Sequence, residues 1–125
     1  MEYLLENEFL QAVVASQGAE LVSVREKATG RELMWRGDAA VWGRHAPILF
    51  RIVGRLKDKT YTVDGRPYEI TQHGFGRDLA WQAQKISGTC AEFTLTPSEY
   101  TKKMYPWDFI CTVRYTCLLY TSDAA

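Results

Sequence analysis

The sequence predicts an all-β fold, an antiparallel β-sandwich, and three observations predict it. Apolar and β-branched residues gather in many short runs, either alternating with polar residues or continuous, as strands do when one or both faces are covered. Turn residues, mostly glycine, separate the runs at close spacing. No segment holds a helical period for more than about one turn. At 125 residues the chain is one domain's worth, long enough to bury a core.

The elements follow in order. Residues 9–16 form an apolar, partly β-branched strand, and Gln17-Gly18 turns the chain into a second strand over 19–26. Leu21 and Val24 do not share parity, so that strand is either covered on both faces in part or carries a bulge. Residues 27–31 turn back into a strand at 32–35. Asp38 is placed to cap a short helical turn over 39–42. Residues 47–53 are the most apolar run and the best candidate for a buried strand, with Pro47 at its entry. Arg51 interrupts it, and a charge there needs a partner, a cleft or an exposed face.

Past a polar connection at 54–59, residues 61–70 read as a hairpin about Asp64-Gly65, a strong signal for a tight two-residue turn. A strand over 79–86 and a turn at Ser87-Gly88 lead to a strand at 90–96. There Ala91, Phe93 and Leu95 alternate with Glu92, Thr94 and Thr96, which predicts one buried face. Residues 97–104 suit one helical turn, and 108–116 form the last strand.

Composition narrows the function classes. Fifteen basic residues balance fifteen acidic ones without a like-charged run, which argues against nucleic acid or an anionic membrane surface as partner. No apolar run reaches membrane-spanning length, and residues 1–7 lack the features of a secretory signal. Cys90, Cys111 and Cys117 have neither CxxC nor Cys/His metal spacing. They read as reduced strand residues of a cytoplasmic protein without a metal or other cofactor.

One stretch stands apart. Thr71-Gln72-His73-Gly74-Phe75-Gly76-Arg77-Asp78 fits neither period and reads as a structured loop. Gly74 and Gly76 give it backbone freedom to aim several polar groups at one place, and loops on a rigid sheet are where binding groups usually sit. Arg77 and Asp78 are either functional or a local ion pair. His45 reads as a surface or packing residue. Glu92, Glu99 and Asp108 show no pairing of the kind a glycosidase needs. Of the four tryptophans, at most one is expected to touch a ligand.

Four stretches carry a family resemblance: Gly18-Ala19-Glu20-Leu21-Val22-Ser23-Val24, residues 42–55 with Pro47-Ile48-Leu49-Phe50 before Gly54-Arg55, the loop Gln72-His73-Gly74-Phe75-Gly76-Arg77-Asp78, and residues 101–109 with Tyr105-Pro106-Trp107. Together they resemble the aldose 1-epimerase (galactose mutarotase-like) family, especially its divergent bacterial branch. Arg51 stands where the family usually has proline. The resemblance implies a large antiparallel β-sandwich that interconverts the α and β anomers of a free aldose, a small-molecule sugar that the arginines make thinkable as phosphorylated. Residues 1–116 would be the N-terminal part of that domain. By the same resemblance His73, Arg55 and Arg77 hold the sugar, while the catalytic histidine and glutamate lie beyond residue 116. The alternative is a non-catalytic carbohydrate-binding β-sandwich. Residues 117–125 resemble translated sequencing adapter and are read as a non-native tail.

Overall fold

A computed structural model describes residues 1–118. Its strands are β1 Glu2–Glu6, β2 Leu10–Ala15, β3 Glu20–Glu26, β4 Thr60–Val63, β5 Arg66–Glu69, β6 Gln82–Ser87, β7 Cys90–Leu95 and β8 Cys111–Thr116, with one short helix, α1 Glu99–Met104. All pairing between named strands is antiparallel, in the orders β1-β2-β3, β4-β5 and β6-β7-β8. The all-β architecture is the expected one.

The first and third sheets share one core. Leu5, Ala12 and Val14 come from the first, and Ala91, Phe93 and Leu95 from the third. Phe93, fully buried, meets the Tyr3 ring edge-on at 5.7 Å and the Tyr115 ring at 6.0 Å. Such edge-to-face pairs add about 0.5–1.5 kcal/mol beyond the area they bury. Burial of the Tyr115 ring carries its hydroxyl inside too, where it donates to the Ala19 carbonyl at 2.8 Å and so ties β8 to the turn before β3. The alternation expected along β7 is present: Ala91, Phe93 and Leu95 are buried, and Glu92 and Thr94 are half-buried. Cys90 is buried on β7, Cys111 lies on β8 and Cys117 just beyond it, all with free thiols. Burial raises the Cys111 and Cys117 thiols above their ordinary range.

Local chemistry explains where the chain turns. Asp64 (φ +51°) and Gly65 (φ +80°) both take the left-handed conformation that a tight hairpin turn needs between β4 and β5. Ser98 caps α1 through the Thr101 backbone N–H, while the Thr101 hydroxyl takes the Ser98 N–H in return. Asp38 caps a single turn, not a helix: its carboxylate takes the Ala40 N–H at 2.9 Å. Of the two readings of β3, the bulge is correct. Val13 faces Ser23 and Val14 faces Leu21, leaving Val22 as the extra residue.

Two expectations need correction, and one strand was not anticipated. Residues 2–6, to which no element was assigned above, form β1; the buried Leu5 contributes to the core while the glutamates sit at the strand ends. Residues 32–35 form no strand, only a bridge from Glu32 to Arg25. The reason is the Glu32 carboxylate, which accepts the Ser23 hydroxyl, the Val24 N–H at 2.9 Å and the Met34 N–H at 3.2 Å, taking the place of a ladder. Desolvation pushes its pKa up, but these hydrogen bonds and Arg25 outweigh it and hold Glu32 below the usual carboxylate range.

The second correction concerns 47–53, which is irregular and only partly covered; Leu49 and Val53 are exposed. Its hydrogen bonds go to the 71–78 loop instead of to a sheet. Phe50 N–H donates to His73 O at 3.1 Å, His73 N–H to Gly54 O at 2.7 Å, and Gly76 N–H to Phe50 O at 2.8 Å. Gly74 (φ +76°) is the point of closest approach, where a Cβ would fall 2.2 Å from both Arg51 N and Phe50 O. The expected freedom of Gly76 is a matter of space alone, since its φ is not positive; a Cβ there would lie 3.0 Å from Phe50 Cβ. As for the tail, Cys117 N–H still donates to Thr89 O at 2.8 Å, and residues 119–125 lie outside the described residues.

Two stability predictions follow from this packing. Phe93→Ala is expected to cost about 3–5 kcal/mol, whereas Ile110→Ala, at an exposed position, changes stability by no more than about 0.5 kcal/mol; urea midpoints measure both. Gly74→Ala is expected to destabilise more than Gly88→Ala, because a Cβ at Gly88 meets nothing within 4 Å. Amide exchange should show the loss of protection at His73 and Gly76 first.

Candidate functional site

The 71–78 loop is anchored by its buried aromatic residue. Phe75 packs with Phe50 at 5.9 Å and Phe109 at 5.7 Å between ring centroids. The buried Trp81 donates its indole N–H to Gly76 O at 2.8 Å, so this tryptophan is a core residue with a satisfied polar end. Thr71 closes the loop's start by donating its hydroxyl to Gly74 O at 3.1 Å, while Gly74 N–H returns to Thr71 O at 2.8 Å.

On this support His73 sits at φ +60°, a conformation uncommon for a residue with a side chain. Its imidazole Nδ1 accepts the Gly54 backbone N–H at 2.8 Å. A ring nitrogen that accepts cannot carry the proton, so the neutral ring bears it on Nε2. Nε2–H is therefore the group left to donate, and the Gln72 amide nitrogen 3.5 Å away, itself a donor, does not accept it. His73 N–H donates to Gly54 and the Gly54 N–H donates to the ring in return, so Arg55 directly follows the histidine's anchor. Arg55 is exposed and lines a cavity of about 450 Å³ with Leu56, Lys57, Asp58 and Lys59.

Arg77 is held differently. Its carbonyl accepts Arg44 Nη1 at 3.2 Å and lies where a Cβ on Gly18 would come within 2.6 Å. Asp78 pairs with Arg44 at 2.7 Å, so the ion pair in this loop is made to a distant arginine and not between sequence neighbours. Gln17 and Gly18 complete the anchorage through Asp78 O and Leu79 O, both at 2.6 Å. The Arg77 Nε is buried and has no hydrogen-bond partner among the described residues. The bonds of the loop thus bring His73 together with Gly54-Arg55, and tie Arg77-Asp78 to the β2–β3 turn and Arg44. His45 packs its ring over Gly37, where a Cβ would fall 2.5 Å from Nε2.

Sequence reasoning gave Tyr105 no role, although it falls in one of the resembling stretches. Its hydroxyl accepts Arg51 Nη2 at 2.7 Å, and its ring lies 5.0 Å from the Arg51 guanidinium carbon, with the Phe50 ring at 5.3 Å. Arg51 and Tyr105 stand on a cavity of about 380 Å³ whose other walls are Ile52, Leu56, Tyr61 and Ile70. The Tyr61 hydroxyl donates to Met104 O, which ties this wall to the end of α1; burial raises its pKa above the ordinary range. Among the described residues Glu92 is paired with Arg114 and Asp108 with Lys102. No three His, Cys, Asp or Glu side chains among the described residues converge as metal ligands would. No described helix is long and apolar enough to cross a membrane.

Comparison with known proteins gives this arrangement relatives. The sequence model of the aldose 1-epimerase family matches residues 1–117. A galactose mutarotase related enzyme from Lactobacillus acidophilus superposes with a TM-score of 0.92 at 40% identity, over 94% of this chain and 39% of that one. A galactose mutarotase-like protein from Lactobacillus casei gives 0.89 at 33% identity, over 98% and 40%. The chromosomal LacX protein of Lactococcus lactis is 31% identical over 90% of this chain and 39% of its own length. The chain therefore spans about two fifths of the length of these relatives. With a family match along nearly all of its length and the same fold in its relatives, the chain belongs to the aldose 1-epimerase family.

Proposed function

We propose that these residues are the sugar-holding part of an aldose 1-epimerase whose proton-transfer groups lie elsewhere in a longer protein. The reaction needs a base to remove the anomeric hydroxyl proton and an acid to protonate the ring oxygen. The ring C–O bond then breaks, the aldehyde turns, and closure on the other face returns both protons. Each such group contributes about 10²–10⁴-fold. The observation that carries the reading is the His73 ring, fixed by Gly54 so that Nε2–H is presented as a donor. A donor of fixed direction suits a sugar hydroxyl, and a site built on such bonds rejects analogues that lack the hydroxyl. Arg55 and Arg77 are the further contacts in this proposal.

In this reading residues 1–116 are the N-terminal portion of the domain, 117–125 are not native to it, and none of the described residues serves as the catalytic acid or base. Polarimetry on a freshly dissolved aldose anomer tests this: the 125-residue chain is expected to leave the uncatalysed rate unchanged, and the extended reading frame to accelerate it. Catalysis by the short chain would overturn the assignment of roles. Binding is tested separately, by amide shifts at Gly54 and His73 on titration with galactose or glucose. His73→Ala is expected to weaken that binding about three- to tenfold, as the loss of a hydrogen bond worth about 1 kcal/mol requires.

A further inference from the structure

We infer that Arg44 is a positioning residue of the sugar site that acts through Arg77, and this deepens the sugar-site reading on which it rests. Arg77 lies in a single 3₁₀ turn, Gly76–Asp78, whose start no side chain caps. Turns of this kind are short and their hydrogen bonds poorly aligned, so the direction of Arg77 is set from outside the turn. Three successive carbonyls, of Arg77, Asp78 and Leu79, each accept a donor from elsewhere in the chain. The donors are Arg44 Nη1 at 3.2 Å, Gln17 Nε2 at 2.6 Å and Gly18 N–H at 2.6 Å.

The three are not equivalent. Gln17 and Gly18 belong to the β2–β3 turn, and their bonds run on into the bridge from Gln17 to Ala80 and the Trp81 N–H to Ser16 O bond at 2.9 Å. They hold the exit of the loop as part of the fold. Arg44 comes instead from a segment outside any strand. One nitrogen of its fork takes the Arg77 carbonyl, and the other meets Asp78 Oδ1 at 2.7 Å. A planar fork with both ends engaged fixes the two residues relative to each other, which a point charge does not do. The next residue ties Arg44 down in turn, since His45 N–H donates to Glu20 Oε1 at 3.0 Å at the start of β3. Arg77 O is closed from the far side as well, where a Cβ on Gly18 would fall 2.6 Å away.

A long side chain contributes a directed contact only to the extent that its ordering does not consume the gain. Holding the backbone on which Arg77 stands removes part of that cost before a ligand arrives. The clamp itself adds little to the stability of the fold. Arg44 and Asp78 are 34% and 40% exposed, and ion pairs so exposed are weak. Loss of Arg44 is therefore felt in binding far more than in folding.

The test is a double-mutant cycle on the 125-residue chain, with galactose and glucose as probes and amide shifts as the readout. Arg44→Met is expected to weaken sugar binding about three- to tenfold, the size of one lost hydrogen bond, with the amide spectrum still dispersed. In the Arg77→Met background the same substitution is expected to change affinity by a factor of about one, because the group it positions is gone. A merely structural role would give the same loss in both backgrounds, and that result overturns the inference. Unchanged affinity in Arg44→Met overturns it too, as does unchanged affinity in Arg77→Met while His73→Ala still weakens binding. Each of these leaves the sugar site standing. Should Arg44→Met lose its dispersed spectrum, Arg44→Lys, which keeps the charge without the fork, takes its place in the cycle with the same expectations. If the unmodified chain binds neither sugar, the sugar-site reading falls and the role of Arg44 falls with it.

Discussion

The contact on which the rest of the site depends is that between Gly74 and the backbone at Phe50 and Arg51. Two irregular segments can lie this close only if one of them lacks a side chain, and Gly74 is that residue. The approach lets the backbone bonds of Phe50, His73 and Gly76 form across the gap. These bonds matter because neither segment belongs to a sheet, and their polar groups would otherwise be left without partners. The aromatic cluster of Phe50, Phe75 and Phe109 then covers the junction with apolar surface. Arginine positions follow from it: Arg51 leaves the junction toward Tyr105, and Arg55 follows the residue that anchors the imidazole.

Much of the fold was legible because strands write their burial into the sequence. The alternation of Ala91, Phe93 and Leu95 with their polar neighbours located β7 and its buried face. Asp64-Gly65 located the β4–β5 turn through the backbone angles those residues accept. Residues 47–53 misled because a continuous apolar run fixes burial without fixing conformation. Their partners are a loop, and a loop leaves no periodic trace. Glu32 misled for a related reason, since a single carboxylate can replace strand pairing by accepting several hydrogen bonds.

The site was legible in a different way. The glycine-rich loop around His73 marked itself by breaking every period, and its resemblance to a family supplied a role that composition alone did not. Spacing had no means of showing how His73 is held, because Gly54 lies 19 residues away and contributes only its backbone. The same is true of Arg44, which reaches Asp78 from 34 residues away in place of the adjacent Arg77. Tyr105 escaped notice because a tyrosine beside a proline and a tryptophan reads as packing. Its hydroxyl is what orients Arg51.

The central claim is that His73 presents a fixed donor, and the protonation of its ring tests it most directly. Long-range proton–nitrogen NMR correlation of the labelled protein distinguishes the two neutral forms of the imidazole. With the ring neutral, the account predicts a proton on Nε2 and an unprotonated Nδ1 that accepts from Gly54. A proton on Nδ1, or rapid exchange between the two forms, would contradict it.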